Sequence, residues 1–216
     1  MTEGRIGLYG GTFDPVHLGH FKVAEAAFVE AELNRVIFIP CASPPHKNGE
    51  ITSLKHRLAM LNLASAGKQH FQSSGIEGKL PKPSYTIDTL RALMTEVHKG
   101  QTLFFIVGAD AFLDIRTWKD FEKILNIVNI IVSPRIGYDQ HVLEEMISEL
   151  GYERINNGWR GRGNRKHIQV LNTVPPHISS SGIKAVPFDE NVPVRMPDFG
   201  LHSDVIAYIR AHNLYQ

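Results

Sequence analysis

The stretch Arg5-Ile6-Gly7-Leu8-Tyr9-Gly10-Gly11 is a short apolar run that stops at a glycine pair. The run has the character of a buried strand, and Gly10-Gly11 is a turn signal. Beyond it, a helical spacing starts near Leu18, with Val23, Ala24, Ala27, Phe28 and Ala31 recurring on one face. Val36-Ile37-Phe38-Ile39 is a second strand, stopped by Pro40. Strand, glycine loop, helix and strand in the first 40 residues make a βαβ unit. Such a unit predicts a parallel sheet with a right-handed crossover.

The alternation continues outward. Leu54, Leu58, Leu61 and Leu63 are the apolar positions of a helix capped by Thr52 or Ser53. Residues 70–76 hold a weaker strand. A helix carrying Ile87, Leu90, Leu93, Met94 and Val97, capped by Ser84 or Thr86, ends at Gly100. Leu103-Phe104-Phe105-Ile106-Val107 is the clearest strand, followed by a helical stretch toward Leu125 that breaks near Arg116-Thr117-Trp118. Residues 127–132 form another strand, and residues 139–150 an amphipathic helix with Val142, Leu143, Met146, Ile147 and Leu150 inward. Residues 158–166 read as a mobile loop, 168–171 as a strand, and 204–214 as a helix presenting Val205, Ile206, Tyr208 and Ile209. The expected fold is α/β: a Rossmann-like, doubly wound parallel sheet in a single domain over residues 1–216, with residues 175–216 as a small C-terminal helical extension.

Apolar residues make up 43% and charged residues 21%, ordinary for a folded domain, so wholesale disorder is excluded. The 23 cationic and 22 anionic side chains leave a net charge of +1, and no overall field favours nucleic acid or an anionic membrane. An anionic ligand therefore needs a local site. Cys41 is the only cysteine, which excludes an intramolecular disulfide and a Cys-rich metal centre. It reads as an inert small residue. The opening residues lack an apolar signal-peptide core. No apolar run approaches the roughly 20 residues of a membrane span. The expected location is cytoplasmic.

Gly10-Gly11 alone suits a tight turn as well as a ligand loop, and it is neither a dinucleotide fingerprint nor a Walker A loop. The residues after it point to anions. His17 and His20 are three apart at a helix start, so they share a face. There, unpaired N–H groups and the positive dipole end favour phosphate, and Gly19 leaves room for it. The bland alternatives are a zinc pair, for which no further ligand is evident nearby, and capping by Asp14 with incidental histidines. A second segment, Ile178-Ser179-Ser180-Ser181-Gly182-Ile183-Lys184, sets three hydroxyls at a helix start before a cation. It suits phosphate binding, or else an N-cap with a solvated lysine.

Gly10-Gly11-Thr12-Phe13-Asp14-Pro15-Val16-His17-Leu18-Gly19-His20 resembles the signature of the HxGH nucleotidyltransferase superfamily, which includes phosphopantetheine and bacterial nicotinate-mononucleotide adenylyltransferases. Residues 178–184 resemble that superfamily's Ile-Ser-Ser-Thr-x-Ile-Arg, departing at Ser181 and Lys184. Lysine keeps the charge but loses the guanidinium fork. Pro44-Pro45-His46-Lys47, Pro83-Ser84-Tyr85-Thr86-Ile87-Asp88-Thr89-Leu90, Gly108-Ala109-Asp110 with Trp118 downstream, and Tyr208-Ile209-Arg210-Ala211-His212-Asn213-Leu214-Tyr215 are similar to stretches of the nicotinate-mononucleotide subfamily.

The resemblance implies transfer of AMP from ATP to nicotinate mononucleotide in NAD biosynthesis, with His17 and His20 as the catalytic pair. It places ATP on Gly10, Gly11, Thr12, Phe13, Gly108, Asp110, Ile178, Ser179, Ser180, Ser181 and Lys184, and the acceptor on Lys47, Tyr85, Thr86, Trp118 and Arg135. Mg²⁺ accompanies ATP, the partners are small molecules, and self-association is left open. Without the resemblance, Asp110 reads as a helix cap and Trp118 as a core aromatic. Another acceptor, or a nucleotide-binding regulator without catalysis, is the competing reading. The basic run Arg160, Arg162, Arg165 and Lys166 reads as a solvated insertion.

Overall fold

The computed structural model describes residues 4–44, 50–96, 100–137, 139–176, 178–185, 188 and 200–215. Its frame is one eight-stranded sheet. The strands are β1 (Arg5–Gly11), β2 (Arg35–Pro40), β3 (Phe71–Ser73), β4 (Thr102–Gly108), β5 (Asn129–Ser133), β6 (Tyr152–Ile155), β7 (Gly158–Gly161) and β8 (Ile168–Val170). Their spatial order is β3-β2-β1-β4-β5-β8-β7-β6. Pairing is parallel from β3 to β8 and antiparallel at β8–β7 and β7–β6.

The apolar runs are continuous because both faces of the sheet are covered. Alternate residues go to opposite faces. Ile6, Leu8, Ile37, Ile39, Phe105 and Val107 join the core beneath α3 (Thr86–Glu96), α5 (Phe121–Ile127) and α6 (Gln140–Glu149). Val36, Phe38, Phe104 and Ile106 join the other core, with α1 (Leu18–Glu30), α2 (Leu54–Ser65) and α8 (Ser203–Ala211). The connection leaving β1 feeds one face, while α4 (Ala109–Leu113), leaving β4, feeds the other. β1 and β4 are neighbours, so their C-terminal ends open a crevice, the usual ligand position in a doubly wound sheet.

Helix phases differ from expectation in places. α2 buries Arg57, Met60, Leu61 and Ala64, a 0, 3, 4, 7 stripe whose first member is a charge, with Ser53 as its N-cap. Met94 and Val142 are exposed rather than inward. Val97 lies outside the described residues.

The larger correction is at the start of the stretch expected as a loop, residues 158–161. Residues 158–161 are strand β7, hairpinned to β6 and paired to β8 at Trp159–Ile168. Trp159 is buried, with the Arg154 guanidinium 5.2 Å from its ring centroid. Arg162 is paired with Glu153 at 2.8 Å, and Arg165 with Glu122. Glycines and charges masked the strand, but Asn156-Asn157-Gly158 is a hairpin turn signal. Gly158 has φ +127°, and a Cβ there would lie 2.5 Å from the Ile168 carbonyl oxygen. Gly158→Ala is therefore expected to destabilise the fold by about 1–3 kcal/mol. Urea unfolding checks this, and the change of within about 0.5 kcal/mol typical of a surface loop would contradict the hairpin.

Candidate active site

The crevice is a cavity of about 560 Å³ lined by the ends of β1, β4 and β5, the start of α1 and the residues before and within α7 (Ser180–Lys184). Gly10, Gly11, Thr12, Phe13, His17, Gly19 and His20 line it, with Gly108, Asp110, Arg135, Trp118 and Thr86, and with Ile178, Ser179, Ser180 and Ser181. Four segments far apart in sequence thus meet at one place.

His17 is the N-cap of α1, and its backbone N–H donates to His20 Nδ1 at 3.2 Å. The two rings stack with centroids 3.7 Å apart and planes 26° apart. A Cβ on Gly19 would come within 3.0 Å of the His17 ring. The room that Gly19 leaves is thus used by His17, where the sequence suggested phosphate. Because His20 Nδ1 accepts, the His20 proton lies on Nε2. His17 is only 6% exposed, and among the described residues no hydrogen-bond partner reaches its Nδ1. Burial, and then the Arg135 charge, push the His17 imidazole down to about 4.

The consequence for stability has a definite sign. An unfolded histidine takes a proton near pH 6.5. Between that pH and about 4 the unfolded chain binds the extra proton, so the contribution of neutral His17 is complete above 6.5 and is lost as pH falls. An NMR titration is expected to put the His17 midpoint well below 6.5. A midpoint at or above it would show that the surroundings do not favour the neutral ring.

Arg135 Nη1 contacts Asp110 Oδ2 at 2.6 Å, so each residue's charge is already matched at the cavity mouth. Trp118 is half-buried and meets Phe105 edge-on at 6.1 Å. Ser179 accepts from the Gly182 N–H at 3.1 Å as the N-cap of α7, and the Ser180 hydroxyl donates to the Pro15 carbonyl at 3.1 Å. Two of the three serine hydroxyls therefore shape the site.

Two expected contacts lie elsewhere. Tyr85 is not among the cavity-lining residues, and Lys119 Nζ sits 4.5 Å from its ring centroid. Lys184 is not among them either, because its ammonium is bonded to Asp14 Oδ2 behind the loop. Lys47 lies outside the described residues.

One lining residue went unnoticed in the sequence. Glu77, 7% exposed, accepts from the Ala42 N–H at 2.9 Å and from the Thr89 hydroxyl at 2.8 Å. Nothing in Gly75-Ile76-Glu77-Gly78 signals a buried carboxylate. Cys41 also lines the cavity, and burial together with Glu77 pushes its thiol up to about 12, so it stays protonated.

Residues 8–186 match the cytidylyltransferase-like family. A probable nicotinate-nucleotide adenylyltransferase of Desulfotalea psychrophila is 36% identical over 98% of this chain and 99% of its own length. The chain belongs to this adenylyltransferase family. A second such relative, from Carboxydothermus hydrogenoformans, is 37% identical over the whole of both chains. In fold, this adenylyltransferase chain is similar to the Plasmodium falciparum nicotinic acid mononucleotide adenylyltransferase complexed with NaAD, with a TM-score of 0.72 at 20% identity over 98% of this chain and 97% of that one. Among the described residues, no helix is long and apolar enough to cross a membrane.

Proposed function

We propose that the chain transfers the adenylyl group of ATP to nicotinate mononucleotide, giving nicotinate adenine dinucleotide and pyrophosphate, a cytoplasmic step of NAD biosynthesis. The carrying observation is that one cavity joins the His17–His20 stack and the Ser179–Ser181 segment with Thr86 and Trp118. The first pair suits a polyphosphate; the second suits a flat ring beside a helix start.

An oxygen of the acceptor phosphate attacks the α-phosphorus of ATP. The bond from that phosphorus to the oxygen bridging to the β-phosphate breaks, and the electron pair leaves on pyrophosphate. A phosphate monoester is largely ionised at neutral pH, so no general base is needed. The buried carboxylates of Asp14 and Glu77 agree with this, since both are occupied by internal donors. His17 and His20 supply donors to the polyphosphate, and the rest is positioning.

Among the described residues, no group of three or more His, Cys, Asp or Glu side chains converges on a metal position. Mg²⁺ would arrive on the nucleotide to neutralise its phosphates.

The test is pyrophosphate release with ATP, Mg²⁺ and either nicotinate or nicotinamide mononucleotide. Release at least about tenfold faster with the acid is expected. Equal rates would refute the acid preference. ATP binding without release for either acceptor would overturn the enzymatic reading in favour of a regulator.

A further inference from the structure

Behind the phosphate loop lies a buried charge that the transfer reaction does not touch. Asp14 is 3% exposed. Its Oδ2 takes the Lys184 ammonium and the Thr52 N–H, the latter at 3.3 Å, and its Oδ1 takes the Tyr215 hydroxyl at 2.6 Å. Burial alone would raise this carboxyl, but the donated bonds hold it below the usual range. Lys184 also lies 5.2 Å from the Tyr215 ring centroid. One turn before Lys184, the Ser180 hydroxyl holds the Pro15 carbonyl, so α7 grips the loop at two successive residues.

Tyr215 carries a second sign of constraint. Its φ is +64°, in the left-handed region where a bulky side chain is an outlier. Such a conformation persists only where the surroundings impose it, and it concentrates near functional elements. The hydrogen bond to Asp14 is among the contacts that surround it here. Neither Asp14 nor Tyr215 lines the cavity, and their effect on it runs through the backbone from Thr12 to His17.

We infer that Lys184 and Tyr215 are positioning residues for the transfer reaction, which fix Asp14 and through it the loop that presents His17 and His20 to the polyphosphate. This differs from the phosphate contact that the motif resemblance assigns to Lys184, and it rests on the adenylyl transfer proposed above. To reach a phosphate, the ammonium would have to leave a desolvated carboxylate short of a partner, which is the costly way to break a buried pair.

A double-mutant cycle tests it, read by steady-state kinetics and by equilibrium binding of a non-hydrolysable ATP analogue. Lys184→Met is expected to lower kcat by about 10–100-fold, the scale of a small misplacement of reacting groups. In an Asp14→Asn background the same change is expected to have little further effect on kcat or on analogue affinity. Lys184→Arg, which keeps a cation on Asp14, is expected to restore most of the activity. Tyr215→Phe removes one hydroxyl and is expected to lower kcat by about 3–10-fold with the KM for ATP unchanged. If Lys184→Met fails to fold, this variant decides.

The inference is overturned if Lys184→Met weakens analogue binding by the same factor in both backgrounds. It is equally overturned if Lys184→Met raises the KM for ATP at constant kcat, or if Tyr215→Phe matches the wild type. A wild-type chain that releases no pyrophosphate is a failure of the transfer itself, and the analogue-binding cycle still decides where Lys184 acts.

Discussion

Alanine at His17 or His20 lowers turnover by about 10²–10³-fold, the scale of losing one preorganised donor to a developing oxyanion. The size follows from how few cationic side chains are left over to face the polyphosphate. Arg135 is matched by Asp110, and Lys184 by Asp14. The stacked imidazoles are the donors that the loop itself contributes. Because the two rings stack on each other, removing either one disturbs the other, and the double variant is expected to lose much less than the product of the single losses. Pyrophosphate release measures the effect, with circular dichroism confirming that each variant is folded. Near-native turnover in both single variants would remove the loop from the reaction.

The largest expected loss of stability is at Arg57. Its side chain is 1% exposed, with Nε donating to the Thr52 carbonyl at 2.7 Å and Nη1 to the Thr12 carbonyl at 2.8 Å. Burial holds its guanidinium below its usual range, and the nearby Asp14 acts in the opposite direction, favouring the charge. Arg57→Met fills much of the volume but orphans two carbonyls and removes positive charge from beside a buried carboxylate. The expected cost is about 3–5 kcal/mol. For a chain of this length that lowers Tm by on the order of 10 °C. Arg57→Lys is expected to recover only part, since an ammonium lacks the fork that spans both carbonyls. Thermal and urea unfolding are the measurements, and a change below about 1 kcal/mol would show that the network contributes little.

Arg57 also marks where the sequence stops being legible. The β1–loop–α1–β2 unit could be read because its periodicities, its glycine pair and Pro40 all agree. The strands β4 and β5 follow from apolar runs buried on both faces. In α2 the leucines suggested one phase, but a charged residue leads the buried stripe, and hydrophobicity cannot announce an arginine needed by two distant carbonyls. β7 was hidden by its glycines and Arg160, and the arginines that follow it, Arg162 and Arg165, find their partners Glu153 and Glu122 on other elements.

The site shows the same division. Motif spacing brought His17, His20, Gly108, Asp110 and the serines to one cavity. It could not say that Lys184 turns away to an aspartate 170 positions earlier, or that Lys119 covers Tyr85. Glu77 had no local signature because its donors, Ala42 and Thr89, lie on separate segments. A motif fixes residue types along the chain, whereas the direction of a side chain depends on what the rest of the fold places beside it.

The bond from Tyr215 to Asp14 closes a span of 201 positions. A contact that remote forms at a cost in chain entropy and depends on nearly everything between its ends being in place. It therefore sets an order in time. During refolding the strands can pair and both cores can form while the loop around His17 is still unlatched. Helical signal should return before activity does, the last interval being the docking of the segment after α8.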